Sequence, residues 1–81
     1  MTQLIRYTVT ELAEDYGCTL EEVADMYGED AVAVYFAQRG NKESAVVGVQ
    51  MSNGNYSAYG LRLDQENITY EQMIAIMERA F

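Results

Sequence analysis

Apolar positions along the chain follow three different rhythms. Val9, Leu12, Ala13 and Tyr16, and again Leu20, Val23, Ala24 and Tyr27, recur three and four residues apart, the spacing of a helix with one buried stripe. Ala45, Val47, Val49 and Met51 alternate with Ser44, Gly48, Gln50 and Ser52, the spacing of a strand, with Val46 out of step. Ala31-Val32-Ala33-Val34-Tyr35-Phe36-Ala37 is apolar throughout, and its β-branched and aromatic content reads as a strand over 31–38, with a helix as the alternative. Residues 2–7 read as a short edge strand, with a helical extension as the alternative.

Three helix starts are written into the sequence. A Thr N-cap with Glu or Gln three residues later satisfies backbone N–H groups that the first turn leaves open, and an apolar pair across the cap staples the entry. The pattern occurs at Tyr7-Thr8-Val9-Thr10-Glu11-Leu12, at Cys18-Thr19-Leu20-Glu21-Glu22-Val23 and at Ile68-Thr69-Tyr70-Glu71-Gln72-Met73. Gly17 and Gly28 stand where left-handed residues end helices. Helices are therefore expected near 9–16, 20–27 and 70–80. The last has Met73, Ile74, Met77, Ala80 and Phe81 on its apolar side.

The pattern also predicts a hairpin. A three-residue loop at Asn53-Gly54-Asn55 sets Ala45 against Leu63, Val47 against Leu61, Val49 against Tyr59 and Met51 against Ser57, so the apolar residues share a face. Gly48 then lies opposite Gly60. The expected fold class is α+β, in a single small acidic domain over residues 1–81. It has two short N-terminal helices, helix-turn-helix-like, then a three-stranded antiparallel β meander and a C-terminal helix packed on the sheet.

Charge changes this picture. The 81 residues include 13 Asp and Glu, 5 Lys and Arg and no His, for a net charge of −8. Glu11, Glu14, Asp15, Glu21, Glu22, Asp25, Glu29 and Asp30 all fall within residues 11–30, which hold no base. Outside that segment, Glu43, Asp64, Glu66, Glu71 and Glu78 balance Arg6, Arg39, Lys42, Arg62 and Arg79. The entire net charge belongs to this one 20-residue segment.

Several chemistries are excluded or disfavoured. Without His and with a single Cys, the chain cannot build a Cys/His zinc site, a His triad or an internal disulfide. The carboxylates lie on expected solvent faces, with no pocket to raise a pKa for acid–base work. No Asp-x-Asp-x-Asp-Gly calcium loop occurs. No catalytic residue, metal or cofactor is expected, and the protein reads as a non-enzyme. Cys18 reads as a structural thiol. Direct nucleic-acid or anionic-membrane binding runs against the charge. With no apolar stretch long enough for a leader or a span, the expected location is cytoplasmic.

At Leu12-Ala13, Gly17-Cys18-Thr19 and Val23 the segment 9–27 resembles a helix-turn-helix core. The resemblance implies two helices joined around a Gly turn. The second helix of that family presents Arg, Lys, Asn or Gln to DNA, whereas this one presents Glu21, Glu22 and Asp25.

Two surfaces remain as candidates. The eight carboxylates of residues 11–30 form the expected partner-binding set, facing a basic protein that handles nucleic acid. Their alternative role is solubility alone. Small acidic phage inhibitors, including anti-CRISPR and anti-restriction proteins, share this composition, so an inhibitor or nucleic-acid mimic from a phage or mobile element is the leading expectation. The second surface is Val34, Phe36, Val46, Gly48, Tyr56 and Gly60, on the other sheet face. It is either covered by the N-terminal helices or exposed as a homodimer or partner face. In the latter case the protein would be a helix-turn-helix-derived dimeric regulator or scaffold.

Overall fold

The computed structural model describes residues 2–40, 45–58 and 65–80. In chain order they form β1 (Thr2–Thr8), α1 (Val9–Tyr16), α2 (Leu20–Tyr27), β2 (Ala31–Arg39), β3 (Ala45–Met51), β4 (Tyr56–Ala58), β5 (Gln65–Ile68) and α3 (Tyr70–Ala80). The class is α+β. The expected three-stranded meander is instead a five-stranded antiparallel sheet in the order β1-β2-β3-β4-β5. The apolar run at 31–38 is strand β2, not a helix. The expected strand at 56–63 is described only over Tyr56–Ala58, and the expected positions of Tyr59, Gly60, Leu61 and Leu63 lie outside the described residues.

All three capping boxes form. The Thr8, Thr19 and Thr69 hydroxyls accept from the backbone N–H of Glu11, Glu22 and Gln72, each at 3.2 Å. The Glu11, Glu22 and Gln72 side chains accept in return from the cap backbone N–H at 3.1, 3.2 and 2.9 Å. Gly17 closes α1 in the left-handed region (φ 65, ψ 35). Its N–H donates to the Glu14 carbonyl and that of Cys18 to the Ala13 carbonyl, the paired bonds of a Schellman motif. Gly28 corrects the expectation. Its φ is 109 and ψ 148, an extended mirror-image conformation rather than a left-handed helical one. The chain there leaves α2 directly through a Gly28–Ala31 turn into β2. Glycine is the residue that adopts this region without strain.

The helix pair is spliced into the connection between β1 and β2, and both of its ends are held by the β1–β2 ladder, which runs from Thr2↔Arg39 to Thr8↔Ala33. Leu12, Ala13 and Val23 pack on one sheet face with Ala31, Val34 and Val49. Met73 and Ile76 of α3 pack on the other face with Tyr35, Ala37, Val47, Ala58 and Ile68. The sheet is thus the middle of three layers. Tyr35, Tyr56 and Tyr70 meet with ring centroids 5.5–5.9 Å apart and tie the start of α3 to β2 and β4. No helix among the described residues is long and apolar enough to cross a membrane.

Two irregularities decide which side chain faces which layer. Val32 is an extra residue in β2 and Val47 an extra residue in β3. Because a bulge places an additional residue in one strand, Val46 and Val49 face the helix pair while Val47 and Gly48 face α3. The expected common face of Ala45, Val47, Val49 and Met51 is therefore broken between Val47, which faces α3, and Val49, which faces the helix pair with Met51. The hairpin after β3 keeps three loop residues but begins one position earlier than expected. Met51 N–H donates to Asn55 at 2.8 Å and Gly54 N–H to Met51 at 3.0 Å, with Gly54 at φ 90. That is a turn completed by a positive-φ glycine, a common three-residue hairpin. The register moves by two, so Gly48 lies opposite Ala58, Val49 opposite Ser57 and Gln50 opposite Tyr56.

β5 is absent from the sequence reading, and it enters α3 through Ile68. Ile76 of α3 is buried although it lies outside the expected stripe. Ile74 and Met77 are half-buried against the same cluster.

Candidate functional site

Glu11, Glu14, Asp15, Glu21, Glu22, Asp25, Glu29 and Asp30 are all exposed. Six ride on α1 and α2. Glu29 and Asp30 form the turn into β2, where the Asp30 carbonyl accepts from the Ser52 N–H at 2.8 Å and locks the turn to the hairpin after β3. The sheet lies behind the helices, so the six helical carboxylates belong to the layer on one face of the sheet.

These carboxylates differ in their local roles. Glu11 and Glu22 are bound to their caps, and those are the hydrogen bonds the acidic set makes among the described residues. The Thr8 backbone N–H, its hydroxyl and, more weakly, Arg6 hold the Glu11 carboxyl below the ordinary glutamate range. The remaining six are free to engage a partner. Glu11 and Asp15, like Glu21 and Asp25, are one helical turn apart, where like charges repel.

The position of the charges along each helix is as informative as their number. Acids suit a helix N-terminus and bases its C-terminus. α3 follows this rule in part, with Glu71 in its first turn and Arg79, beside Glu78, in its last. In α1 and α2 the first turns carry Glu11 and Glu21–Glu22, and the last turns hold no base. Asp15 and Asp25 stand instead against the negative ends of their helix dipoles. Among the described residues no three Asp, Glu or Cys side chains converge as metal ligands would. The carboxylates form a dispersed array.

Comparison with protein-family models, curated proteins and solved structures returned no match.

The second expected surface does not hold together as one face. Val34 is fully buried beneath α1 and α2, with Phe36 and Val46 half-buried in the same cluster, and Phe36 meets Tyr7 edge-on at 5.6 Å. Gly48 and Tyr56 lie on the opposite side, under α3. Gly60 lies outside the described residues.

The structure also exposes apolar residues that the helical period placed in the core. Tyr16 and Leu20 are 50% and 54% exposed, although they belong to the expected buried stripes. They are the last residue of α1 and the first of α2, so they flank the turn beyond the part of each helix that packs on the sheet. Met26, outside either stripe, is 51% exposed. Tyr16, Cys18, Glu22, Asp25 and Met26 line a shallow groove of about 420 Å³ at this end of the helix pair. One signal for it was readable: Met26 lies one turn after Glu22, on the acidic side of α2.

Proposed function

We propose that this is a non-catalytic interaction protein whose acidic helix pair binds a basic, nucleic-acid-handling protein at the surface that protein uses for nucleic acid. The observation that carries the reading is the placement of Asp15 and Asp25. Solubility asks for net charge anywhere on the surface. It gives no reason to gather every uncompensated charge on two helices and the turn after them, nor to set acids at helix ends where they cost stability. A nucleic-acid-binding surface is dense in Lys and Arg because a duplex carries one charge per roughly 1.7 Å of axis. Carboxylates recurring about every 6 Å along capped helices offer such a surface a fixed array of opposite charge. Long-range attraction between the two then speeds encounter. An inhibitor acting by occupying that surface is the role these features favour.

The test is affinity capture from a bacterial lysate with the immobilised protein, at low and high salt, beside a Glu21→Gln/Glu22→Gln/Asp25→Asn variant. The expected result is a basic nucleic-acid-binding protein that is displaced by added duplex DNA and lost with the variant. Capture that ignores salt, or survives the three amide substitutions, overturns the reading.

A further inference from the structure

Charge alone does not account for the end of the helix pair. Tyr16 and Met26, both half-exposed, line the groove together with Cys18, Glu22 and Asp25. Neither apolar residue serves the core there, since Leu12, Ala13 and Val23 make the contact with the sheet. Tyr supplies a large contact surface at low entropic cost, and Met adapts its shape to varied apolar guests. A groove lined by apolar side chains and two carboxylates on a helical surface complements one kind of guest, an apolar side chain with cations beside it. A helix delivers that arrangement because residues three and four apart share a face.

We infer that the groove between Tyr16 and Met26 is the seat for a basic amphipathic helix of the partner. This helix inserts an apolar side chain into the groove and sets Lys or Arg against Glu22 and Asp25. The inference rests on the acidic face being the binding surface, and it adds what the partner must carry there. Recognition then has two parts, a salt-sensitive attraction spread over the acidic layer and a salt-insensitive anchor at its end. A partner with positive charge but no apolar side chain in register would be attracted and not retained.

The experiment uses two synthetic helical peptides of about 18 residues. One bears Lys on one face and Leu on the other. The second has the same Lys residues and Ser for every Leu. Binding to the intact protein is followed by fluorescence anisotropy at about 150 mM salt, together with the rate at which Cys18 reacts with a thiol reagent. The Leu peptide is expected to bind about tenfold more tightly than the Ser peptide and alone to slow Cys18 modification. A Tyr16→Ser/Met26→Ser variant, whose changes lie at exposed positions and whose fold is checked by circular dichroism, is expected to erase the difference. Equal binding of both peptides overturns the groove and leaves the acidic-face reading standing. Tight Leu-peptide binding that the Ser variant retains also overturns the groove. Failure of both peptides to bind overturns the inference and the reading beneath it together.

Discussion

Met73 of α3 occupies the space that a side chain on Gly48 of β3 would need. A Cβ at Gly48 would stand 2.8 Å from Met73 Cγ and 3.0 Å from the Ser57 carbonyl oxygen. Met73 is fully buried and the Ser57 contact is backbone, so one neighbour has little room to retreat and the other none. Gly48→Ala is expected to destabilise the fold by about 2 kcal/mol, the cost of overpacking a filled core. Met73→Ala opens a cavity and is expected to cost about 3 kcal/mol alone. The double variant should cost less than the two together, because the new methyl enters space the methionine has left. Urea unfolding of the four proteins measures this, and strict additivity would show that the residues do not compete for one site.

The three capping boxes make a parallel set. Thr8→Ala, Thr19→Ala and Thr69→Ala each leave an N-terminal N–H without its acceptor and are expected to lower stability by about 1 kcal/mol apiece. Ser at the same positions should restore most of it. The unfolding midpoint in urea reports each loss, and an Ala variant that unfolds with the parent would show that water caps that helix as well as Thr does.

Asp15 and Asp25 are expected to be unfavourable where they stand. Replacing either with Lys removes a like-charge neighbour one turn back and places a cation at the helix C-terminus, a gain of about 0.5 kcal/mol each. The same changes should weaken capture of the basic partner. Thermal unfolding and binding measured on one preparation test the trade. Variants that bind undiminished would free these two positions from any role in recognition.

Acid should erode the first cap specifically. The Thr8 N–H stabilises the charged form of Glu11, so its folded pKa lies below the unfolded value. The associated stability is complete above the unfolded glutamate pKa of about 4.3 and disappears as pH falls through the folded value. Glu11→Gln accepts the same bond at every pH without the charge. The advantage of the parent over this variant is therefore expected to be constant near neutrality and to shrink below about pH 4. Urea midpoints of the two proteins from neutral to acid pH provide the comparison, and curves that stay parallel would contradict it.

Gly17 and Gly28 should respond differently to the same substitution. Each has open space where a Cβ would go, so the cost is one of backbone conformation. Asn visits the left-handed region of Gly17 at small cost, whereas the extended positive-φ region of Gly28 is essentially glycine's own. Gly17→Asn is expected to be the milder change, by about 1 kcal/mol on chemical denaturation.

Local chemistry was legible in the sequence where a few adjacent residues determine it. The three Thr-started helices, the α3 span and β2 follow from short patterns whose bonds close within one turn or one strand. β5 was not legible because Glu66 and Asn67 are exposed and Asn67 takes a positive φ of 57. Ile68 at its end enters the core after these two exposed residues, so no alternation marks it. Val46 was visible as a lapse in rhythm, but its meaning depended on the bulge at Val47, which only the pairing of β3 with β2 defines. The acidic set was readable in full, since charge needs no partner to be counted. Tyr16 and Leu20 were misplaced because a helical period says which residues share a stripe, not how far along the stripe the sheet reaches.

Thr8 and Ala33 are rungs of one ladder, so the chain leaves the sheet and returns to it at adjoining points. In evolutionary terms the helix pair between them is a cassette. Its outward residues can be rewritten, charge by charge, without renegotiating the pairing of a single strand, provided Leu12, Ala13 and Val23 continue to meet the sheet. A lineage under pressure to follow a changing partner would accumulate its differences in that stretch and keep β1 and the elements from β2 to α3 as inherited.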